Sequence, residues 1–458
     1  MSGAEGPRST GDGAADAGAA DAGAADDGAA DDGAANVRGI RPLARPPDTE
    51  VAVPGSKSLT NRALVAAGLA RGRSTLTGVL DADDTRAMLT GLEALGVGIV
   101  RSHAGTIVTV DGVAGAPTVT DPRIDVRLSG TTARFLAPVL ARVDGTSHLD
   151  GLPPFRRRPM GPSIAALRAL GCTVTEHGTP DHLPITVTGG PVAGGEVAVA
   201  GEVSSQFLSG LLLAGAAFPD GLTVRVSSPL VSVPYVEMTA EVLRWFGVEL
   251  TRPDEATFVV AGGGLRASDV AIEPDASAAT YLLAAAAITG GRVRVAGLTS
   301  ASCQGDAGFA AVLGRMGAEV VVDEHGTEVR GTGRLRGIDV DLGAMSDTAQ
   351  TLAAVAVFAE GPTRITGIGF IRAKETDRIA AMVTELRKLG IDAREEEDGL
   401  VVQPGRPSPG VVATYDDHRM AMSFALLGLV VPGIAIADPG CVAKTFPTYF
   451  EVLEQLRR

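Results

Sequence analysis

Lysine is scarce in this chain. Of its 40 basic residues only Lys57, Lys374, Lys388 and Lys444 are lysines. Three of these four stand next to chemistry. Lys374 is followed by Glu375 and, four positions on, by Arg378, and Asp347 lies upstream in the same stretch of chain. Two carboxylates beside fixed cations suit general acid–base work on a bound anion. Lys57 precedes Arg62, and Lys444 sits in a loop before a terminal amphipathic stretch. Arg134, Arg156-Arg157-Arg158, Arg372 and Arg419 occupy similar places, where a loop or turn gives way to a helical pattern. A helix start offers unpaired N–H groups and partial positive charge, so several such starts with added cations would bind a small polyanion. Each residue also has a plainer reading. An isolated Arg is commonly a surface ion pair, Asp347 could be an N-cap, and Glu375 a first-turn acid of the helix that continues through Arg387.

The elements that must place these groups follow a repeat. Six apolar runs read as buried helices. They open near Ser56, Gly130, Ser204, Asp275, Ser346 and Asp416, 70 to 74 residues apart. A second, amphipathic helix follows in each unit. Five of these close at Gly96, Gly171, Gly247, Gly317 and Gly390, which can supply a left-handed cap. A β-type run lies between the two helices, and β-branched runs such as 248–250 and 320–322 follow most closures. The unit is therefore strand–helix–strand–helix–strand–strand, six times over. Residues 37–53 carry no helix pattern and are expected to give a strand to the last unit. That arrangement implies two lobes of three units, with the chain crossing between them near 54–57 and 272–275.

Composition narrows the function. With 54 acidic and 40 basic residues the net charge is −14, which argues against a nucleic-acid partner. Half of that charge lies in residues 1–36, a Gly-Ala-Asp repeat with eight acids and one Arg. Such a segment cannot bury enough apolar area to order itself, so residues 1–36 are expected to be a disordered tail. The tail lacks the pattern of a secretory signal, no apolar run reaches a membrane span, and Cys172, Cys303 and Cys441 are too few for a disulfide framework. A cytoplasmic protein without membrane contact is expected. There is no Cys-x-x-Cys or His-Glu-x-x-His pair, so no metal is implied. PGSKS is not a phosphate-binding P-loop, because Ser56 rather than Gly precedes Lys57.

Nine runs carry a family resemblance: PGSKSLTNRAL (54–64), SGTTARF (129–135), RRPMGP (157–162), SSQF (204–207), VSVPY (231–235), SDTAQT (346–351), KETDRI (374–379), DDHRMAM (416–422) and AKTFPTYF (443–450). In this order and spacing the chain, from about residue 40 to its last residue, resembles the 5-enolpyruvylshikimate-3-phosphate (EPSP) synthases, also called 3-phosphoshikimate 1-carboxyvinyltransferases. The resemblance implies an α/β fold, a two-domain inverse (inside-out) α/β barrel with three βαβαββ units per domain. The domains would comprise 56–273 and 37–55 with 274–458. It implies transfer of the enolpyruvyl group from phosphoenolpyruvate to the 5-hydroxyl of shikimate 3-phosphate with release of phosphate, a step toward chorismate and aromatic amino acids. No cofactor or metal, small anionic substrates and a monomer are expected.

Carried over by motif, Lys57, Ser58, Arg62, Ser204, Ser205, Gln206, Ser232, Asp347 and Lys374 would hold shikimate 3-phosphate. Lys57, Gly130, Arg158, Gln206, Arg378, Arg419 and Lys444 would hold phosphoenolpyruvate. Asp347 would take the 5-hydroxyl proton, and Glu375, with Lys57, would protonate the methylene carbon. The chain departs from the family at Leu128, where many members have Asn, at Phe135 where Pro is common, at Pro154 in place of an Arg, and at Phe370 in place of a substrate-contacting Asn. A rival reading is an enolpyruvyl transferase for a UDP-amino sugar, which uses a loop Cys absent from residues 153–160. Another is a non-catalytic anion-binding scaffold, which would have no need of both Asp347 and Glu375. Cys172 is expected to be a core thiol.

Overall fold

The buried helices begin where small polar side chains can replace the missing turn. In the computed structural model, which describes residues 36–190 and 192–458, they are Lys57–Leu69, Gly130–Val139, Ser205–Gly215, Ala276–Thr289, Ala349–Ala356 and His418–Val430. Ser56, Ser129, Ser204, Asp275 and Asp417 each accept a hydrogen bond from an N–H of the helix they open. This is the exchange that makes Ser and Asp good N-caps. The fifth helix differs from expectation. Asp347 does not open it: Asp347 lies inside a 3₁₀ turn, Gly343–Thr348, and the α-helix starts at Ala349 with no side-chain cap. The Asp347 carboxylate is thereby free to point elsewhere.

The amphipathic partners are Asp83–Ala94, Gly161–Ala169, Val233–Trp245, Phe309–Met316, Arg378–Lys388 and Tyr449–Gln455. Gly96, Gly171, Gly247, Gly317 and Gly390 end the first five with φ between +79° and +112°, the left-handed geometry that a Cβ disfavours.

The strands repeat one order. In the second unit Arg123–Asp125 runs parallel to Thr146–Asp150, which pairs antiparallel with Ile185–Thr188, itself antiparallel to Thr173–Glu176. The third and fifth units copy this order with strands of their own. The first and fourth borrow their leading strand: Val270–Ala271 joins Arg71–Thr77, and Asp48–Val51 joins Arg292–Ala296. In the sixth, Gly410–Val412 and Ile434–Ala437 are completed by Val37–Gly39. The N-terminal segment thus serves the last unit, as expected, and the fourth as well.

Two hydrophobic cores result. One draws on residues 59–272 and the other on Ile40, Val51 and residues 276–456. In each, three buried helices pack against one another. Thr280, Thr351 and Ser423 join the second trio through hydroxyl contacts of 3.2 and 3.3 Å near the helix starts. In the first trio Gly210 lets helices close up; a Cβ there would stand 2.1 Å from the Arg134 carbonyl oxygen. The two crossing segments lie side by side. Ser56 N–H donates to the Glu273 carbonyl at 2.8 Å, and Asp275 N–H donates to Pro54 at 2.9 Å. The expected tail lies, apart from Asn36, outside the described residues. Cys172 is buried, as a core thiol should be.

Candidate active site

Arg378 organises the acidic centre. It is the first residue of its helix, which Asp377 caps, so Glu375 precedes the helix rather than belonging to its first turn. The Arg378 guanidinium donates from Nε to Asp417 Oδ2 at 2.7 Å, from Nη1 to Asp347 Oδ1 at 3.0 Å and from Nη2 to Glu375 Oε2 at 2.8 Å. Arg419 donates from Nη2 to the other Asp347 oxygen at 2.6 Å. Arg158 approaches Glu375 at 3.9 Å. The 3₁₀ turn and the Arg378 helix start thus present both carboxylates to a shared guanidinium, with about 15% of each side chain exposed.

Burial alone would raise the Asp347 carboxyl, but Arg419, Lys374, Arg378 and Lys57 together hold it well below the usual carboxylate range. Glu375 follows the same logic. Burial pushes it up, and Arg378, Arg158, Lys444 and His418 outweigh that and hold it down. Both are ionised in the free protein. Burial lowers Lys374 to about 8, against the pull of Asp347. Burial and the neighbouring Arg419 press His418 well below its ordinary value, so this imidazole is neutral at physiological pH.

A second cluster stands beside the first. Lys444 Nζ donates to the Leu128 carbonyl at 2.8 Å and lies 3.0 Å from Asp84 Oδ1. Lys57 Nζ lies 3.6 Å from the other Asp84 oxygen. Gly130 opens its helix against two guanidinium groups; a Cβ there would stand 3.0 Å from Arg158 Nη2 and 3.2 Å from Arg134 Nη1. Arg134 donates to Gln206 Oε1 at 2.7 Å, and Gln206 Nε2 donates to Thr131 at 3.3 Å. Burial lowers Arg134 to about 9. The buried Nε atoms of Arg134, Arg158 and Arg419 have no partner among the described residues. Such orphaned donors are costly unless an acceptor can reach them.

The remaining residues expected at the site divide. Ser204 is taken up as a cap, and Ser205 is the first residue of that helix. Ser232 has left-handed backbone, φ +54°, directly before Val233. Ser58 shares a narrow cavity with Lys57, Asp275, Tyr281 and Arg419. Arg62 is satisfied within the protein, donating to Thr239, Ser209 and the Ser58 and Tyr235 carbonyls. Lys374 Nζ sits 5.8 Å from the Phe370 ring centre. A cavity of about 520 Å³ lies on the side of Lys444 toward Asp84, Leu128, Asp416 and Cys441, not between Asp347 and Glu375. The chemistry, not the roominess, marks the site. Among the described residues no His/Cys/Asp/Glu group suits a metal, and no helix is long and apolar enough to cross a membrane.

The family model described as EPSP synthase (3-phosphoshikimate 1-carboxyvinyltransferase) matches residues 44–453. A 3-phosphoshikimate 1-carboxyvinyltransferase of Trichormus variabilis is 44% identical over 409 residues, 89% of this chain and 96% of the relative. This chain belongs to the EPSP synthase family. A protein of the same name from Pseudoalteromonas translucida is 43% identical over 406 residues, 88% of this chain and 95% of its own. The solved EPSP synthase of Acinetobacter baumannii superposes with a TM-score of 0.76 at 27% identity, covering 92% of this chain and 98% of that one. The enolpyruvyl transferase NikO of Streptomyces tendae gives 0.72 at 21% identity, covering 92% and 97%, a likeness of fold alone.

Within this EPSP synthase family member, sequence reasoning missed the counter-ions. Asp84 and Asp417 are buried between cations, yet in sequence each is simply the second acid of a pair, indistinguishable from a first-turn acid or a cap. Arg134 was legible as a cation at a helix start but not as the partner of Gln206. Asp306 gave no signal, and Tyr235 stood out only as the end of the VSVPY run, with no role attached. The departures have local work: Phe135 lies under Arg62 at 5.1 Å, and Leu128 packs against the first core while its carbonyl accepts from Lys444.

Proposed function

We propose that this cleft transfers the enolpyruvyl group of phosphoenolpyruvate to the 5-hydroxyl of shikimate 3-phosphate, by addition and elimination. The observation that carries the reading is the convergence of Arg158, Arg378 and Arg419 on the Asp347–Glu375 pair, with Lys57, Lys374 and Lys444 adding positive charge beside it, in a member of the EPSP synthase family. Two phosphates and two carboxylates cannot approach one another without such cations.

The ionised state of both carboxylates gives the order of events. In the free protein Asp347 is a weak base, because Arg378 and Arg419 hold it. An arriving phosphoenolpyruvate draws charge from those guanidiniums and from Arg158 and Lys444. Asp347 then becomes basic enough to accept the 5-hydroxyl proton, and Glu375 basic enough to take up a proton from water before the cleft closes on the substrates. The acceptor oxygen bonds to C2 of phosphoenolpyruvate while C3 gains a proton from Glu375, with Lys57 nearby. In the second step C3 returns its proton to Glu375, and the C–H electron pair re-forms the C2=C3 double bond. The C2–O bond to phosphate breaks with its electron pair leaving on phosphate, and Asp347 gives its proton to that phosphate. Gly130, Gln206, Arg378, Arg419, Arg158 and Lys444 line the phosphoenolpyruvate side. Ser58, Arg62, Ser204, Ser205, Ser232 and Lys374 serve shikimate 3-phosphate, Arg62 by holding the surrounding frame.

The division into 37–55 with 274–458 and 56–273, each half an inside-out barrel of three βαβαββ units, is supported by the two cores and the recurring sheet order. A cytoplasmic monomer using no metal or organic cofactor completes the proposal. The test is phosphate release from shikimate 3-phosphate and phosphoenolpyruvate. Release only with a UDP-amino-sugar acceptor would overturn it.

A further inference from the structure

One buried carboxylate is not used by the reaction just described. Asp306 lies in the 3₁₀ turn Gly305–Gly308 and is 4% exposed. It accepts from Tyr235 Oη at 3.3 and 3.4 Å, and from the Ser277 hydroxyl. Tyr235 stands on the Val233–Trp245 helix, packed against the 59–272 core. Asp306 and Ser277 lie past the crossing at Pro274, so the Tyr235–Asp306 contact spans the two halves. The turn is also wedged in place. A Cβ on Gly305 would stand 2.6 Å from Pro234 Cβ and 3.1 Å from the Ala344 carbonyl oxygen. Pro234 neighbours Tyr235, and Ala344 lies in the same turn as Asp347. Tyr235 is anchored behind by Arg62, which donates to its carbonyl at 2.8 Å.

We propose that Asp306 is a positioning residue: it latches Tyr235 of the first half to the Gly305–Gly308 turn, which packs against the turn that carries Asp347, and its charge sets how basic Asp347 is when the halves are together. This rests on the reaction proposed above. The charged groups facing Asp306 are Asp347, Asp275 and Arg419, with the neutral hydroxyls of Ser277 and Tyr235. Burial, reinforced by Asp347, raises the Asp306 carboxyl to about 6 despite Arg419. Ionisation of Asp306 therefore adds negative charge beside Asp347 within the working pH range and makes Asp347 a better base.

The experiment compares wild type, Asp306→Asn, Tyr235→Phe and the double variant, by turnover against pH and by thermal unfolding. Wild-type kcat should rise through a limb near pH 6. Asp306→Asn should lose that limb and about 10-fold or more of kcat, with both KM values changed less than about 3-fold. Tyr235→Phe removes a donor to the carboxylate, so its limb should move to higher pH. The double variant should lose less than the two single losses combined. Without turnover, the unfolding midpoint of Asp306→Asn should gain on wild type as pH rises from about 4 to about 6 and hold level above that, because in this window unfolded wild type has released the proton that folded Asp306 still keeps. Superimposable pH profiles, additive losses or a pH-independent midpoint difference would overturn the latch. Should Asp306→Asn not fold, an unmoved limb in Tyr235→Phe does the same. A wild type that releases no phosphate sinks the functional reading, while the unfolding comparison still judges Asp306.

Discussion

Lys444 Nζ stands 3.0 Å from Asp84 Oδ1, a buried ion pair joining the second half of the chain to the first. Lys57 shares the same carboxylate from 3.6 Å. Removing the acid would leave two cations facing each other with little solvent. Asp84→Ala should lower unfolding stability by about 3 kcal/mol in urea titrations, since breaking a buried pair strands its partner. A loss below about 0.5 kcal/mol would show the pair to be solvent-screened.

Asp347 accepts from Arg378 and Arg419 but caps no helix. Asp347→Ala should therefore fold, bind both substrates with Kd within about 5-fold of wild type, and lose about 10³-fold in kcat, within the range for a missing general base. Calorimetric binding beside single-turnover phosphate release checks this. Near-normal turnover would remove Asp347 from the chemistry.

Gly130 has room for a Cβ only if two guanidinium groups shift. Both are ends of flexible side chains, so Gly130→Ala should fold normally. Its KM for phosphoenolpyruvate should rise about 10-fold, about 1.4 kcal/mol, while KM for shikimate 3-phosphate changes little. Equal rises for both substrates would place Gly130 outside the phosphoenolpyruvate side.

Lys374 is lowered to about 8 by burial. Its charge, and with it anion binding, should fade as pH rises through 8, giving kcat/KM a falling limb there that Lys374→Arg removes. The sign for stability is the reverse. Between about 8 and 10.5 the unfolded chain holds the proton that the folded chain has released, so this group makes stability rise with pH in that window. A kcat/KM flat to pH 9.5 would contradict the binding role.

The sequence was legible where one residue type suffices for a local event. Ser56, Ser204 and Asp275 mark helix starts, and Gly96 through Gly390 mark helix ends, because capping depends on a few neighbouring atoms. Lys57, Lys374 and Lys444 stood out by rarity, and Lys388, predicted to lie apart, is exposed and pairs with the buried Glu385 one helical turn earlier. What stayed hidden is made by distance. Asp84 meets Lys444 across 360 residues, and Asp306 meets Tyr235 only after the crossing at Pro274. The 3₁₀ turn at Asp347 was also hidden, since its residues read equally well as the first turn of an α-helix.

The borrowed strands set a timetable for the growing chain. Asp48–Val51 has no sheet to join until Arg292–Ala296 has left the ribosome, and Val37–Gly39 waits for Ile434–Ala437. The 59–272 core needs nothing beyond Val270–Ala271 to close its sheets. The part that begins second in the chain is therefore finished first, and Val37–Gly39 and Asp48–Val51 wait unpaired until their partner strands are made.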